Sequence, residues 1–266
     1  ILIGLVGSEM CIRDRLYVLI ERIENYYTVC YNINRLIIEE LNFMQKGFTL
    51  AEVLITLGII GIVAALTLPS MINNSNKKEF EALLKKQYSA LQQAVLRVKY
   101  NDELPIDTEN YQYKFHYKLA EQYNVLQDCG SINGNRGCIL QDTDGSFSYY
   151  KNYRGGTLSR SYIDDAGFIT ADGTTFLFEE GSQSETVGIL VTIDVNGYMK
   201  RPNKMGYDLF TFQLTKEGKV LPMGAESTYY AKSKEALCSK ASNSDLNGIT
   251  CAYYALSDIN YFKNLK

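Results

Sequence analysis

Tryptophan is absent from this 266-residue chain, histidine occurs once and proline only four times. With His116 alone, no zinc site can use two histidines, and Ser/His/Asp chemistry would have to be built on that one ring. His116 is therefore expected as a surface or packing residue. The patterns GxSxG, GxxxxGK[ST] and HExxH are missing, and with them the nucleophile, phosphate and zinc geometries they encode. An enzyme is not expected. A basic excess is lacking too: the net charge is −3, so no global field attracts nucleic acid. Arg154-Gly155-Gly156 is too short for an RNA-binding segment. At 46% the hydrophobic content is ordinary for a folded chain and excludes a polytopic membrane protein. The length suits one membrane helix and one modest globular domain.

One long apolar run is present. Phe48 to Leu68 spans 21 residues with a single formal charge, Glu52. At about 1.5 Å rise per residue, a helix of that length crosses a hydrocarbon core of about 30 Å. A carboxylate costs on the order of 2.5–3.5 kcal/mol at the centre of such a helix and less near its end. Glu52 should therefore have a partner. Lys46 precedes the run and no further cation follows until Lys77. Positive charge is retained inside, which places Lys46 in the cytoplasm and the C-terminal part outside. Gly58 and Gly61 would allow close helix approach. Pro69 should kink or locally melt the helix. The apolar pattern then resumes at Phe80, Leu83, Leu84, Tyr88, Leu91, Val95 and Val98, spacings of three and four that predict an amphipathic continuation. It should end between Tyr100 and Pro105.

The segment Lys46-Gly47-Phe48-Thr49-Leu50-Ala51-Glu52-Val53-Leu54-Ile55 resembles the prepilin signal of type IV pilins and type II secretion pseudopilins. The resemblance covers roughly Met44 to Tyr100. It implies cleavage after Gly47 by a membrane-embedded prepilin peptidase and N-methylation of Phe48. It implies that Glu52, fifth in the mature chain, neutralises the N-terminal amine of a neighbouring subunit. It further implies polymerisation with copies or other pilins, an inner-membrane assembly platform, and a membrane-lipid environment before assembly. The expected location is the cytoplasmic membrane, single-pass with the C-terminal domain outside, and then a periplasmic or cell-surface filament. Secretion pseudopilus, type IV pilus and DNA-uptake pilus stay open at this point.

Residues 1–43 do not fit a short basic leader. The run from Leu5 to Arg15 resembles translated sequencing adapter, so 1–43 are expected to be artefact or untranslated upstream sequence. The organisation expected is a leader over 44–47, a membrane or filament-core helix over 48–72, its amphipathic continuation over 73–104, and an extracytoplasmic pilin-like domain over 105–266.

In that last part, Tyr111 to Tyr123 reads as a second helix. Phe147 to Tyr150 and Ser161 to Ile163 are short strand candidates. Gly167 to Thr170 and Thr175 to Glu179 flank an Asp-Gly turn and predict a hairpin; Asp172 is then a turn residue. Val187 to Val195 should be a strand, and Leu209 to Thr215 with Lys219 to Pro222 another hairpin. The tail reads as loop-rich with a short helix at best. The 21 tyrosines are expected mainly as strand formers. Glu179-Glu180 reads as a solvated sheet edge that discourages pairing. The fold class expected is α+β: a long N-terminal helix packed on a small antiparallel sheet.

Cys129 with Cys138, and Cys238 with Cys251, form two local pairs in the part expected outside the cytoplasm. As disulfides each would contribute about 2–3 kcal/mol by loop entropy; free or cross-paired thiols are the alternative. Asp194, Asn196 and Asp208, on the Gly-containing loop through Pro202, Asn203 and Gly206, could supply oxygen ligands for calcium. The alternative is a turn capped by its own side chains. No other cofactor is expected. The competing function is a single-span, membrane-anchored binding module that does not polymerise.

Overall fold

The computed structural model describes residues 49–130, 149–159, 163–181, 188–231 and 234–265, with the side chains of Pro69, Ser70, Asn73 and Asn74 left aside. Residues 1–48, Cys138 and parts of the expected strands over 147–150, 161–163 and 187–195 lie outside that description. The chain divides after Leu68 into two units.

Helix α1 runs from Leu50 to Asp102. It does not melt at Pro69. Only the hydrogen bond to the Ala65 carbonyl is forgone there, and the turns on both sides hold the helix. Beyond Pro69, every third or fourth side chain is buried: Phe80, Leu84, Gln87, Leu91, Ala94, Val95 and Val98. This stripe is what the spacing anticipated, and it lies on one face of the sheet. Tyr88 stacks on Phe212 at 5.3 Å and donates to the Val220 carbonyl at 3.2 Å. Gln87, polar within the stripe, donates to Thr174 Oγ1 at 2.8 Å. The helix ends as Glu103 turns left-handed, with φ of 56°.

The single second helix expected over Tyr111 to Tyr123 is instead two short ones, α2 (Thr108–Tyr111) and α3 (Phe115–Ala120). Asp107 caps the first through the Asn110 amide at 3.1 Å. Tyr113 breaks them apart with φ of 53°, its N–H donating to the Glu180 carbonyl at 3.3 Å.

Six antiparallel strands form a meander in chain order: β1 (Val125–Gly130), β2 (Ala166–Thr170), β3 (Thr175–Glu179), β4 (Leu190–Asp194), β5 (Leu209–Leu214) and β6 (Val220–Pro222). The architecture is α+β, as the sequence implied. The Asp-Gly hairpin is present: Gly173 takes φ of 88°, and Phe168 faces Phe176 with rings stacked at 4.8 Å. Strand β1 was not anticipated. It is an edge strand with three of its residues exposed, so no alternation marks it.

Alternate residues of β2 to β5 serve two cores. Phe168, Phe176, Phe178, Val191, Ile193, Phe210 and Phe212 meet α1. On the other face Leu177, Leu190 and Leu209 meet Tyr150, Ile163, Met223 and Leu237. That second layer draws on the segments read as short strands, at Tyr150 and Ile163, and on the tail read as loop-rich. It includes α4 (Lys234–Leu237), and the chain then continues into α5 (Cys251–Ser257), which packs back on the first core. Cys238 is bonded to Cys251, Cα atoms 5.2 Å apart, tying α5 to the end of α4. Cys129 is disulfide-bonded; Cys138, the partner expected for it, lies outside the described residues.

Candidate functional site

The first site is the start of α1. Thr49 and Glu52 cap the helix reciprocally. The Glu52 N–H donates to Thr49 Oγ1 at 3.2 Å, while Glu52 Oε2 accepts both the Thr49 N–H at 2.9 Å and the Thr49 hydroxyl at 2.8 Å. Both bonds fall on Oε2, and Oε1 has no partner among the described residues. The Thr-x-x-Glu spacing that announces such a cap was there to be read in the sequence, and Thr49 was missed as a contributor. Gly47 and Phe48, the expected processing positions, lie outside the described residues.

From Leu50 to Leu68 the helix is long and apolar enough to cross a membrane, and none of it is buried. All eleven of its Leu, Ile and Val side chains are exposed. A soluble monomer does not leave so large a contiguous apolar surface in water. Lipid or other apolar helices must cover it. Gly58 and Gly61 meet nothing within 4 Å, so their faces are open to a close neighbour.

These features fit a membrane-anchored, single-pass protein whose apolar helix is followed by an α+β domain. The anchor can be assigned more closely. Residues 42–68 match the family model described as the prokaryotic N-terminal methylation motif, the signature of type IV pilins and pseudopilins. No curated protein and no solved structure matches the chain.

The second site is the loop between β4 and β5. Asp194 and Asp208 are both fully buried. Asp194 Oδ1 accepts from the Gly197 N–H at 2.9 Å, and Oδ2 faces the buried Tyr150 hydroxyl at 3.4 Å. Asp208 accepts from the Asn203 N–H at 2.7 Å and the Lys204 N–H at 2.6 Å. Gly197 has φ of 86°, and a Cβ there would collide with the Gly173 carbonyl, so only glycine lets this loop close on the β2–β3 turn. Burial, and then the charge of Asp208, push the Asp194 carboxyl well above its usual range. Burial pushes Asp208 up to about 7 against the pull of its backbone N–H donors. In both, burial favours the protonated acid.

Asn196 completes this group. With its amide nitrogen inward, it donates to Asp194 Oδ1 at 2.9 Å and Asp208 Oδ2 at 3.2 Å. With the oxygen inward, the nitrogen reaches only the Lys200 and Arg201 carbonyls, at 3.4 Å each. The inward nitrogen satisfies the pair without a cation. Calcium would require the inward oxygen, and then three side chains converge, fewer than the six to eight oxygens calcium takes.

The third group corrects an expectation. Glu179 and Glu180 are buried and do not line an edge, because β3 lies inside the sheet. Glu180 holds His116 at two points, accepting from its backbone N–H at 3.0 Å and pairing with its ring Nδ1. His116 is thus a buried packing residue held by a buried carboxyl group. Its Nε2 has no hydrogen-bond partner among the described residues. Glu179 is pushed up to about 8 by burial and by Asp165, to which it hydrogen-bonds.

Proposed function

We propose that this chain is a structural subunit of a type IV pilus-like or type II secretion pseudopilus filament. The observation that carries the reading is the N-terminal methylation motif on a helix whose apolar surface is wholly uncovered around one carboxylate. Prepilin peptidase cleaves after Gly47 and methylates Phe48. The Phe48 amine of one subunit meets Glu52 of the next in the low-dielectric bundle, where an ion pair resists lateral escape. Copies or other pilins pack along Leu50 to Leu68, the inner-membrane platform inserts them, and the domains outside the membrane coat the filament. The role is mechanical rather than catalytic.

Mass spectrometry of the protein from cells with active peptidase should find a mature chain beginning at N-methylated Phe48. An uncut N-terminus in those cells removes the processing half of the proposal.

A second reading, a single-span binding module that does not polymerise, would place calcium between Asp194, Asn196 and Asp208 with the Asn196 oxygen turned inward. It expects millimolar calcium to raise the thermal midpoint of the full chain by several degrees, since binding only the folded state stabilises it. An unchanged midpoint refutes a calcium site there.

A further inference from the structure

Within the unit that begins at Pro69, a cleft of about 370 Å³ opens between α1 and the β4–β5 loop. Its apolar lining comes from Phe80, Pro202 and Leu265, with the Tyr207 ring beside them. Its charged lining is cationic: Lys77 and Arg201. Among the described residues neither has a carboxylate within ion-pair distance. Lys77 is half-buried, and its only described hydrogen bond is a long one, 3.5 Å, to the Lys263 carbonyl. A third cation, Lys204, lies 4.1 Å over the Tyr207 ring. Cations packed against apolar side chains with no counter-charge attract an amphiphile with an anionic head.

We propose that this cleft holds the phosphate headgroup of an anionic phospholipid from the membrane that α1 crosses. Inorganic phosphate and a lipid headgroup offer the cations the same anion; Phe80 and Leu265 are already packed in the core, so what favours the lipid is the tether to the span. The tether supplies proximity. Lys77 follows Leu68 by nine residues, which even fully extended reach only about 32 Å. The cleft therefore meets membrane headgroups at the high effective concentration of a linked site. The proposal rests on Leu50–Leu68 being a span and is independent of filament formation.

The absence of tryptophan gives a clean reporter. The full chain carrying Tyr207→Trp has one indole, at the edge of the cleft. It would be reconstituted in phosphatidylcholine vesicles containing phosphatidylglycerol with a nitroxide near the headgroup, or phosphatidylcholine with the same label. Quenching should reach half-maximum at a lower mole fraction of the labelled phosphatidylglycerol. Lys77→Gln, half-buried, and Arg201→Gln, exposed, are expected to leave the thermal midpoint unchanged and should each raise that fraction about fivefold. The double variant should erase the preference.

Equal quenching by the two labelled lipids overturns the proposal. So does a double variant that folds and keeps the preference. Quenching that follows protein density instead of lipid composition also overturns it, in favour of a second copy. An indole response to free glycerol phosphate equal to that in vesicles overturns it in favour of a soluble anion. Carbonate extraction is run in parallel: a chain released by carbonate fails as a spanning protein, which is a separate result.

Discussion

A chain carrying Glu52→Gln should enter the membrane, keep the start of α1 and fail to build filaments. Glutamine can still accept the Thr49 N–H and hydroxyl that Glu52 Oε2 accepts at 2.9 and 2.8 Å, so the reciprocal cap survives. The charge does not. An amine arriving from a neighbour would be desolvated against a neutral amide, and removing one partner of a buried pair costs about 3–5 kcal/mol, a hundredfold or more in assembly. Insertion should become easier, because a carboxylate near the edge of the hydrocarbon is unfavourable. The complementary variant is Thr49→Val. It loses the cap, about 1 kcal/mol of helix stability, but keeps the carboxylate. Filament yield from cells, scored beside carbonate-resistant membrane protein, separates the two. If Thr49→Val abolishes filaments and Glu52→Gln preserves them, Glu52 acts as a cap and not as an assembly contact.

Asp194→Asn should raise the thermal midpoint of the full chain above pH 7, an unusual result for a fully buried acid. Asp208 is lifted to about 7 and Asp194 well above its ordinary value, in both cases mainly by burial. The folded pair holds a proton that the unfolded chain has already released above about pH 4. The contribution is therefore fully present below about pH 4, declines as pH rises through about 7, where Asp208 releases its proton, and keeps falling as Asp194 follows. Glu179, lifted to about 8, carries the same sign and extends the decline.

Asparagine at 194 copies the protonated acid. Its oxygen keeps the Gly197 N–H and its amide faces the Tyr150 hydroxyl. A gain on the order of 1–2 kcal/mol at pH 8 would shift the midpoint by roughly 2–8 °C, with a shallower pH slope. Asp208→Ala should do the reverse at every pH, because the Asn203 and Lys204 N–H groups lose their acceptor. A loss on the order of 3–5 kcal/mol is expected from two buried donors left unpaired. Melts followed by near-ultraviolet tyrosine dichroism at pH 5, 6.5 and 8 decide it. An Asp194→Asn chain that melts below the parent at pH 8 rules out a raised Asp194 carboxyl.

What the sequence made legible was local. The β2–β3 hairpin follows from Asp172-Gly173, since one turn type needs that chemistry wherever it occurs. The buried stripe of α1 follows from spacings of three and four. What it hid was distant. Glu179-Glu180 reads as a solvated pair because nothing nearby opposes it; the partner of Glu180 is His116, 64 positions upstream. The expected helix over Tyr111 to Tyr123 breaks because Tyr113 is held by the Glu180 carbonyl, a contact outside any local window. Burial of Asp194 and Asp208 was hidden in the same way. Their loop carries turn residues, and only the second layer of the domain, with Tyr150 in it, seals them from water. The Thr49–Glu52 cap was local and readable, and was overshadowed by the charge of Glu52.

The cap leaves one more consequence. Glu52 fastens its own helix with a single oxygen and leaves the other without a partner among the described residues. On the filament reading, joining a neighbour therefore requires no rearrangement within the subunit, and leaving the neighbour creates no damage to repair. On that reading the docking point is reusable: a subunit that leaves one neighbour keeps the conformation in which it can meet the next.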